Sequence, residues 1–297
     1  MIIKRIAAIF LVAGLAAPLA ALLGISRAWG EAGDDAYAAF MLGNYKRALD
    51  VARPAALEGD FLAQFTLGRI YEEGKGAPQD KAEAESWFQK ALAKAKPVGE
   101  RGEFRAQFIV GRMYAEGWIL PKDDARAIIW YREAAGQGYA VAQNSLGFMY
   151  QTGSGVAKDE REAVAWYRKA AEHRYAPAQT NLGLMYQNGS GVTADELEAV
   201  AWYRRAADQG YAAAQTALGV MYGNGRGIAK DKREAVSWYR KAAEQGDAQG
   251  QYNLGAMYAN GMGVVQDYKE ASSWFRKAAK QGHAQAMEAI SKIPGTK

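Results

Sequence analysis

Three patterns in this chain use residue types that do chemistry. Acids three residues apart occur at Asp80/Glu83, Asp159/Glu162, Asp195/Glu198, Asp231/Glu234 and Asp267/Glu270, and such pairs can serve as general acid and base. Glycine turns such as Gly153-Ser154-Gly155 look like the start of a phosphate-cradling loop. Trp-Tyr pairs, among them Trp166-Tyr167 and Trp202-Tyr203, offer flat faces on which a sugar ring can stack. Each pattern recurs at one interval along the chain, and an active site does not come in five copies. The glycine turns follow a helical stretch and lack the lysine of a phosphate loop. His173 and His283 are the two histidines and lie far apart, which argues against a metal site or a triad. The absence of cysteine excludes a thiolate nucleophile, a thiolate metal site and a disulfide framework. No enzyme activity, cofactor or metal is expected.

The interval is the primary signal. Gln107, Gln143, Gln179, Gln215 and Gln251 are 36 residues apart, as are Tyr114, Tyr150, Tyr186, Tyr222 and Tyr258 and Trp130, Trp166, Trp202, Trp238 and Trp274. An earlier unit carries Gln64, Tyr71 and Trp87. In the unit beginning at Ala178, Leu182, Met185 and Tyr186 form the stripe of a short amphipathic helix. Gly183 stands mid-helix, where glycine costs about 1 kcal/mol against alanine, and it recurs at Gly68, Gly111, Gly147, Gly219 and Gly255. Its recurrence predicts a neighbour too close for a side chain. Gly189 ends the helix as a left-handed cap. Asp195 then starts a second helix as N-cap, with Glu198 expected to complete a capping box; repeat two has Arg126 in the glutamate's place. Ala199, Trp202, Tyr203, Ala206 and Ala207 form this helix's expected buried stripe, and Arg204 and Arg205 suit the negative end of its dipole. Gly210 closes the helix, but repeat three has Arg174 there. Helix pairs this short must stack to bury their apolar faces.

The motif AQxxLGxMYxxGxGVxxDxxEAxxWYRKAAEQG closely resembles the Sel-one-like repeat family, a relative of the tetratricopeptide repeats. Repeats three to six match it nearly throughout; repeat one (63–93) and repeat two (106–140) match more loosely. The resemblance implies an all-α, right-handed solenoid of antiparallel helix pairs, with six repeats over 61–284. A divergent capping helix pair is expected over 35–60 around Gly43-Asn44, an insert over 94–103, and a C-terminal capping helix and tail over 285–297. The family implies scaffolding in protein complexes, and its exported bacterial members are linked to envelope assembly, signalling or host contact.

Residues 1–28 differ from the rest. Lys4 and Arg5 precede an uncharged stretch from Ile6 to Ile25, and small residues follow at Ser26 and Ala28. This predicts a bacterial export signal, with an uncleaved inner-membrane anchor as the alternative. The expected location is periplasmic or secreted if the segment is cleaved, and anchored facing the periplasm if it is not. The net charge of +5 falls to +2 without Lys4, Arg5 and Arg27, so nothing electrostatic points to nucleic acid.

The family's geometry lines a concave groove with the first helices. One row of the groove is Arg69, Arg112, Phe148, Leu184, Val220 and Ala256. A second is Glu73, Glu116, Thr152, Asn188, Asn224 and Asn260; a third is Phe65, Phe108, Asn144, Thr180, Thr216 and Tyr252. The expected ligand is a protein or peptide, whose backbone the Asn188, Asn224 and Asn260 amides would hold while Phe148, Leu184 and Val220 touch its side chains. The competing expectation is that each asparagine serves its own helix end. A cell-wall or exopolysaccharide polymer is the alternative partner and would need exposed rings at Phe65, Phe108, Phe148 and Tyr252. Repeat two breaks the turn rule with Gly117-Trp118-Ile119-Leu120-Pro121, so Trp118 and Leu120 are either an exposed contact or tucked against the 94–103 insert.

Overall fold

A computed structural model describes residues 26–294; residues 1–25, which carry most of the expected export segment, lie outside the described residues. The described residues form fifteen helices and no strand, so the protein is an all-α solenoid. An N-terminal pair, α1 (Ser26–Met41) and α2 (Tyr45–Glu58), precedes six repeats. These are α3 (Phe61–Glu73) with α4 (Lys81–Gly99), α5 (Phe104–Glu116) with α6 (Asp124–Gly136), and α7 (Ala140–Thr152) with α8 (Glu160–Glu172). There follow α9 (Ala176–Asn188) with α10 (Glu196–Asp208), α11 (Ala212–Asn224) with α12 (Lys232–Glu244), and α13 (Ala248–Asn260) with α14 (Tyr268–Lys280). Helix α15 (Ala284–Lys292) ends the stack. The 94–103 segment is largely a continuation of α4, which is 19 residues long against 13 for the other second helices.

Each unit is pinned at its glycine. A β-carbon on Gly183 would stand 2.8 Å from the ring of Tyr203, and one on Gly147 2.6 Å from that of Tyr167. The expected close neighbour is therefore this buried ring of the second helix. Tyr131, Tyr167, Tyr203 and Tyr239 fill the position in repeats two to five, and Phe88 and Phe275 in repeats one and six. Tryptophan is the less buried member of each pair: Tyr203 is 2% exposed, while Trp202 is half-buried at the rim. A cation covers the outer face of that ring, Lys169 over Trp166 at 3.9 Å and Arg205 over Trp202 at 4.3 Å. The arginines at these helix ends thus bind rings as well as suiting the dipole. Arg204 Nη2 donates to Tyr222 Oη of the next repeat at 2.6 Å, and Arg168 donates to Tyr186 at 2.9 Å.

The N-caps form as expected but the capping box does not close as expected. Asp195 Oδ1 accepts from the amides of Leu197 and Glu198. The amide of Asp195 itself, which Glu198 was expected to satisfy, donates to the Tyr186 carbonyl at 2.9 Å. The same bond recurs from Asp80 to Tyr71 and from Asp267 to Tyr258. The first helix leaves carbonyls unpaired at its end, and the next N-cap amide lies within reach of one, so the turn satisfies both groups without the glutamate.

A ladder of buried glutamines joins the units. Gln179 Nε2 donates to the Ala171 carbonyl of repeat three at 3.1 Å, and its Oε1 accepts from Gln209 at 2.7 Å. The pattern repeats through Gln215 with Gln245 and Gln251 with Gln281. It breaks at repeat three, where His173 stands in the glutamine's place, Gln143 Oε1 is buried without a partner, and Arg174 takes φ +60°.

Candidate functional site

The first helices carry the candidate rows, and the structure treats these rows unequally. Phe148 is 56% exposed and Leu184 40% exposed, one repeat apart on α7 and α9. Val220 and Ala256 continue the line and are half-buried. Beside it, Asn181 Nδ2 donates to Asn144 Oδ1 at 2.9 Å, bridging the two helices. Arg112, Glu116, Asn144, Phe148 and Asn181 line one pocket. Repeats three and four thus present an apolar strip edged by amides, with an arginine-glutamate pair at its repeat-two end.

That arginine is spoken for internally. Arg112 pairs with Glu116 at 2.9 Å and lies over the Trp118 ring at 5.5 Å. Arg69 Nε donates to Glu73 at 3.1 Å, and its guanidinium covers Phe40 at 4.5 Å. The charged end of row one is therefore already neutralised by its own helix.

Row three departs most from expectation. Phe65 and Phe108 are fully buried and do not line an open groove. Tyr37 of α1 lies on both, with ring centroids at 6.0 and 5.7 Å. Thr216 is buried and donates to Asp247 at 2.7 Å, while Tyr252 stacks on His283 at 4.8 Å. Of the four rings a glycan platform required, Phe148 alone is mostly exposed, so the platform is not formed.

The asparagine row sits at helix ends. Asn260 Nδ2 donates to the Ala256 carbonyl of its own helix at 2.8 Å, and Asn188 and Asn224 are exposed at the last positions of α9 and α11. Glycines 189, 225 and 261 make the left-handed turns themselves. The irregular turn packs inward on α4 and does not stand out as an exposed contact. Trp118 stacks on Phe88 of α4, with centroids 4.3 Å apart and planes 7° apart, and Leu120 packs half-buried beside the same core. A large ring beside an open aromatic face gains more from burial than from water.

Sequence reasoning missed the participants supplied by α1. Asp34 Oδ2 pairs with Arg105 of α5 at 3.3 Å, and Leu42 packs beside Tyr211 against the core of repeats four and five. Phe40 to Gly43 and Tyr45 share a pocket with Tyr211 and with Gln245 to Ala248. Tyr139, Tyr175 and Tyr211, each at the N-cap of a first helix, look into this region. Burial pushes the hydroxyls of Tyr139 and Tyr175 well above the usual tyrosine range, and the neighbouring Tyr37 adds to the shift. The 36-residue spacing of these three tyrosines was a readable signal; their contact with α1 was not.

A family model described as the Sel1 repeat matches residues 62–95, 104–139, 140–175, 176–211, 212–247 and 248–283. The chain belongs to the Sel1-repeat family. Among solved structures, a Sel1 repeat protein from Oxalobacter formigenes is 30% identical, with a TM-score of 0.62 over 92% of this chain and 89% of that one. A protective antigen of uropathogenic Escherichia coli strains, described as displaying an SLR fold, is 38% identical, with a TM-score of 0.60 over 82% of this chain. The present chain spans 51% of that antigen's length. An immunity protein from Pseudomonas aeruginosa, 20% identical with a TM-score of 0.53 over 75% of this chain and 83% of its own, shares the fold. No curated protein matches the chain. Sel1-repeat proteins generally mediate protein–protein interactions, and their solenoids are typically non-catalytic scaffolds.

Proposed function

We propose that this Sel1-repeat protein is a non-catalytic adaptor of the bacterial envelope that grips a segment of a partner protein along the Phe148–Leu184 strip. The observation that carries the reading is the exposure of Phe148 and Leu184, 56% and 40%, at equivalent positions of two adjacent first helices whose other apolar residues are buried or half-buried. Aligned exposed apolar groups on a rigid scaffold are what a binding strip requires. The Asn144–Asn181 bridge fixes the strip's edge, and the Asn188 and Asn224 amides offer a donor and an acceptor to a peptide backbone. Export rests on the composition of residues 1–28; among the described residues no helix is long and apolar enough to cross a membrane.

The test replaces Phe148 and Leu184 together by Asp. Capture of a partner from envelope extract is expected to be lost with the melting temperature nearly unchanged. Undiminished capture would overturn the strip. Mass spectrometry of the N-terminus of the exported protein tests export: a start near residue 29 marks cleavage, and an intact Met1 start marks an anchor.

A further inference from the structure

The first helix does not sit in the stack as the other first helices do. It packs on α3 of repeat one and reaches α5 of repeat two, and its C-terminal end shares a pocket with residues of repeats four to six. Tyr37 is 4% exposed, seated on Phe65 and Phe108. One turn earlier, Asp34 Oδ2 meets Arg105 Nη1 at 3.3 Å. One turn later, Met41 Sδ accepts from Arg69 at 3.4 Å, and Leu42 reaches the core beside Tyr211. The residues touched come from the surface where the family's geometry places a ligand. The approach is close: a β-carbon on Gly33 would collide with the Asp60 carboxylate, which caps α3.

We infer that α1 is a built-in ligand of the groove, and that the socket formed by Phe65, Phe108 and Arg105 also receives a partner helix carrying an acidic residue one turn before an aromatic one. Asp34 and Tyr37 display that chemistry: a carboxylate that shares the Arg105 guanidinium with Glu103, and a ring that lies against two buried phenylalanines packed edge to face. This rests on the adaptor reading above and adds which ligand the N-terminal half of the groove takes and what holds it closed. The Phe148–Leu184 strip lies outside this socket, so partner contact can begin at the open strip while α1 still covers the rest.

A linked ligand competes at an effective concentration on the order of 1 mM. A free peptide of the same segment with a Kd of about 100 µM is therefore weakened about tenfold by the resident helix. The probe is a fluorescent peptide of residues 32–44, titrated into the full-length protein. Wild type is expected to bind it about tenfold more weakly than the Asp34→Ala/Tyr37→Ala variant, whose own helix has lost its hold. A peptide with alanine at the position of Tyr37 is expected to bind neither protein. Equal binding to wild type and a folded double variant, or binding to neither, would overturn the proposal. Should the double variant melt below working temperature, Asp34→Ala alone serves instead, because it removes the half-exposed Asp34–Arg105 pair and leaves Tyr37 and its aromatic packing in place; a smaller gain is expected and its absence is equally decisive. Failure of the adaptor reading shows separately, since partner capture that survives Phe148→Asp/Leu184→Asp leaves this peptide titration unchanged.

Discussion

Gly183 of α9 and Tyr203 of α10 are in direct apposition: a β-carbon on the glycine would lie 2.8 Å from the tyrosine ring. The contact sets the spacing between the two helices of repeat four. Gly183→Ala is expected to gain about 1 kcal/mol of helix propensity and lose about 2–3 kcal/mol to overpacking, for a net loss of about 1–2 kcal/mol. Gly136, at the exposed end of α6, has nothing within 4 Å of its would-be β-carbon. Gly136→Ala is expected to stabilise by up to about 1 kcal/mol. Urea unfolding of both variants checks the opposite signs; equal effects would remove the ring as the cause.

The break in the glutamine ladder is repairable. His173→Gln supplies the donor that Gln143 Oε1 lacks, and Arg174→Gly relieves a left-handed residue with a side chain. Each change is worth about 1 kcal/mol. Together they are expected to raise Tm by a few degrees, on the order of 2–4 °C per kcal/mol for a chain of this size. The converse, Gln179→Met, strands the Ala171 carbonyl and is expected to cost about 1–3 kcal/mol.

The tyrosine under the glycine in repeats two to five also makes the fold sensitive to alkali. Burial pushes the Tyr239 hydroxyl up to about 12. A tyrosine in the unfolded chain ionises near 10, so between those values the unfolded state has released a proton that the folded state keeps. Tyr239 therefore leaves stability unchanged below pH 10 and lowers it as pH rises from 10 towards 12. Tyr239→Phe is expected to make that decline shallower at little cost near pH 7, because Phe88 and Phe275 already occupy this position in repeats one and six. Melting curves from pH 7 to pH 11.5 check it.

Asn188 and Asn224 separate binding from capping. Glycines 189 and 225 take the left-handed turns, so the asparagines are not required to end their helices. Asn188→Ala/Asn224→Ala is expected to weaken partner binding at least about fivefold, since each lost hydrogen bond is worth about 0.5–1.5 kcal/mol, while leaving Tm nearly unchanged. A fall in Tm with full affinity would return these amides to a structural role.

The amino-acid sequence determined the repeat. Period, helix pairing, glycine turns and aspartate caps are local or nearest-neighbour properties, so thirty-six residues contain their causes, and stacking identical units builds the rest. The family match over six units and the fifteen helices agree with that reading. Three features were decided only by tertiary structure. The Asp195 amide goes to the Tyr186 carbonyl because the folded turn brings it there before Glu198 can reach it. Trp118 goes to Phe88, a ring thirty residues away, because that face was left open. Tyr37 covers Phe65 and Phe108 because α1 packs across α3 and reaches α5, linking three successive units. Curvature is the sum of small rotations between units, and no single repeat encodes where that sum places the two ends. The sequence could therefore name the residues that line a groove but not which of them the chain itself would cover.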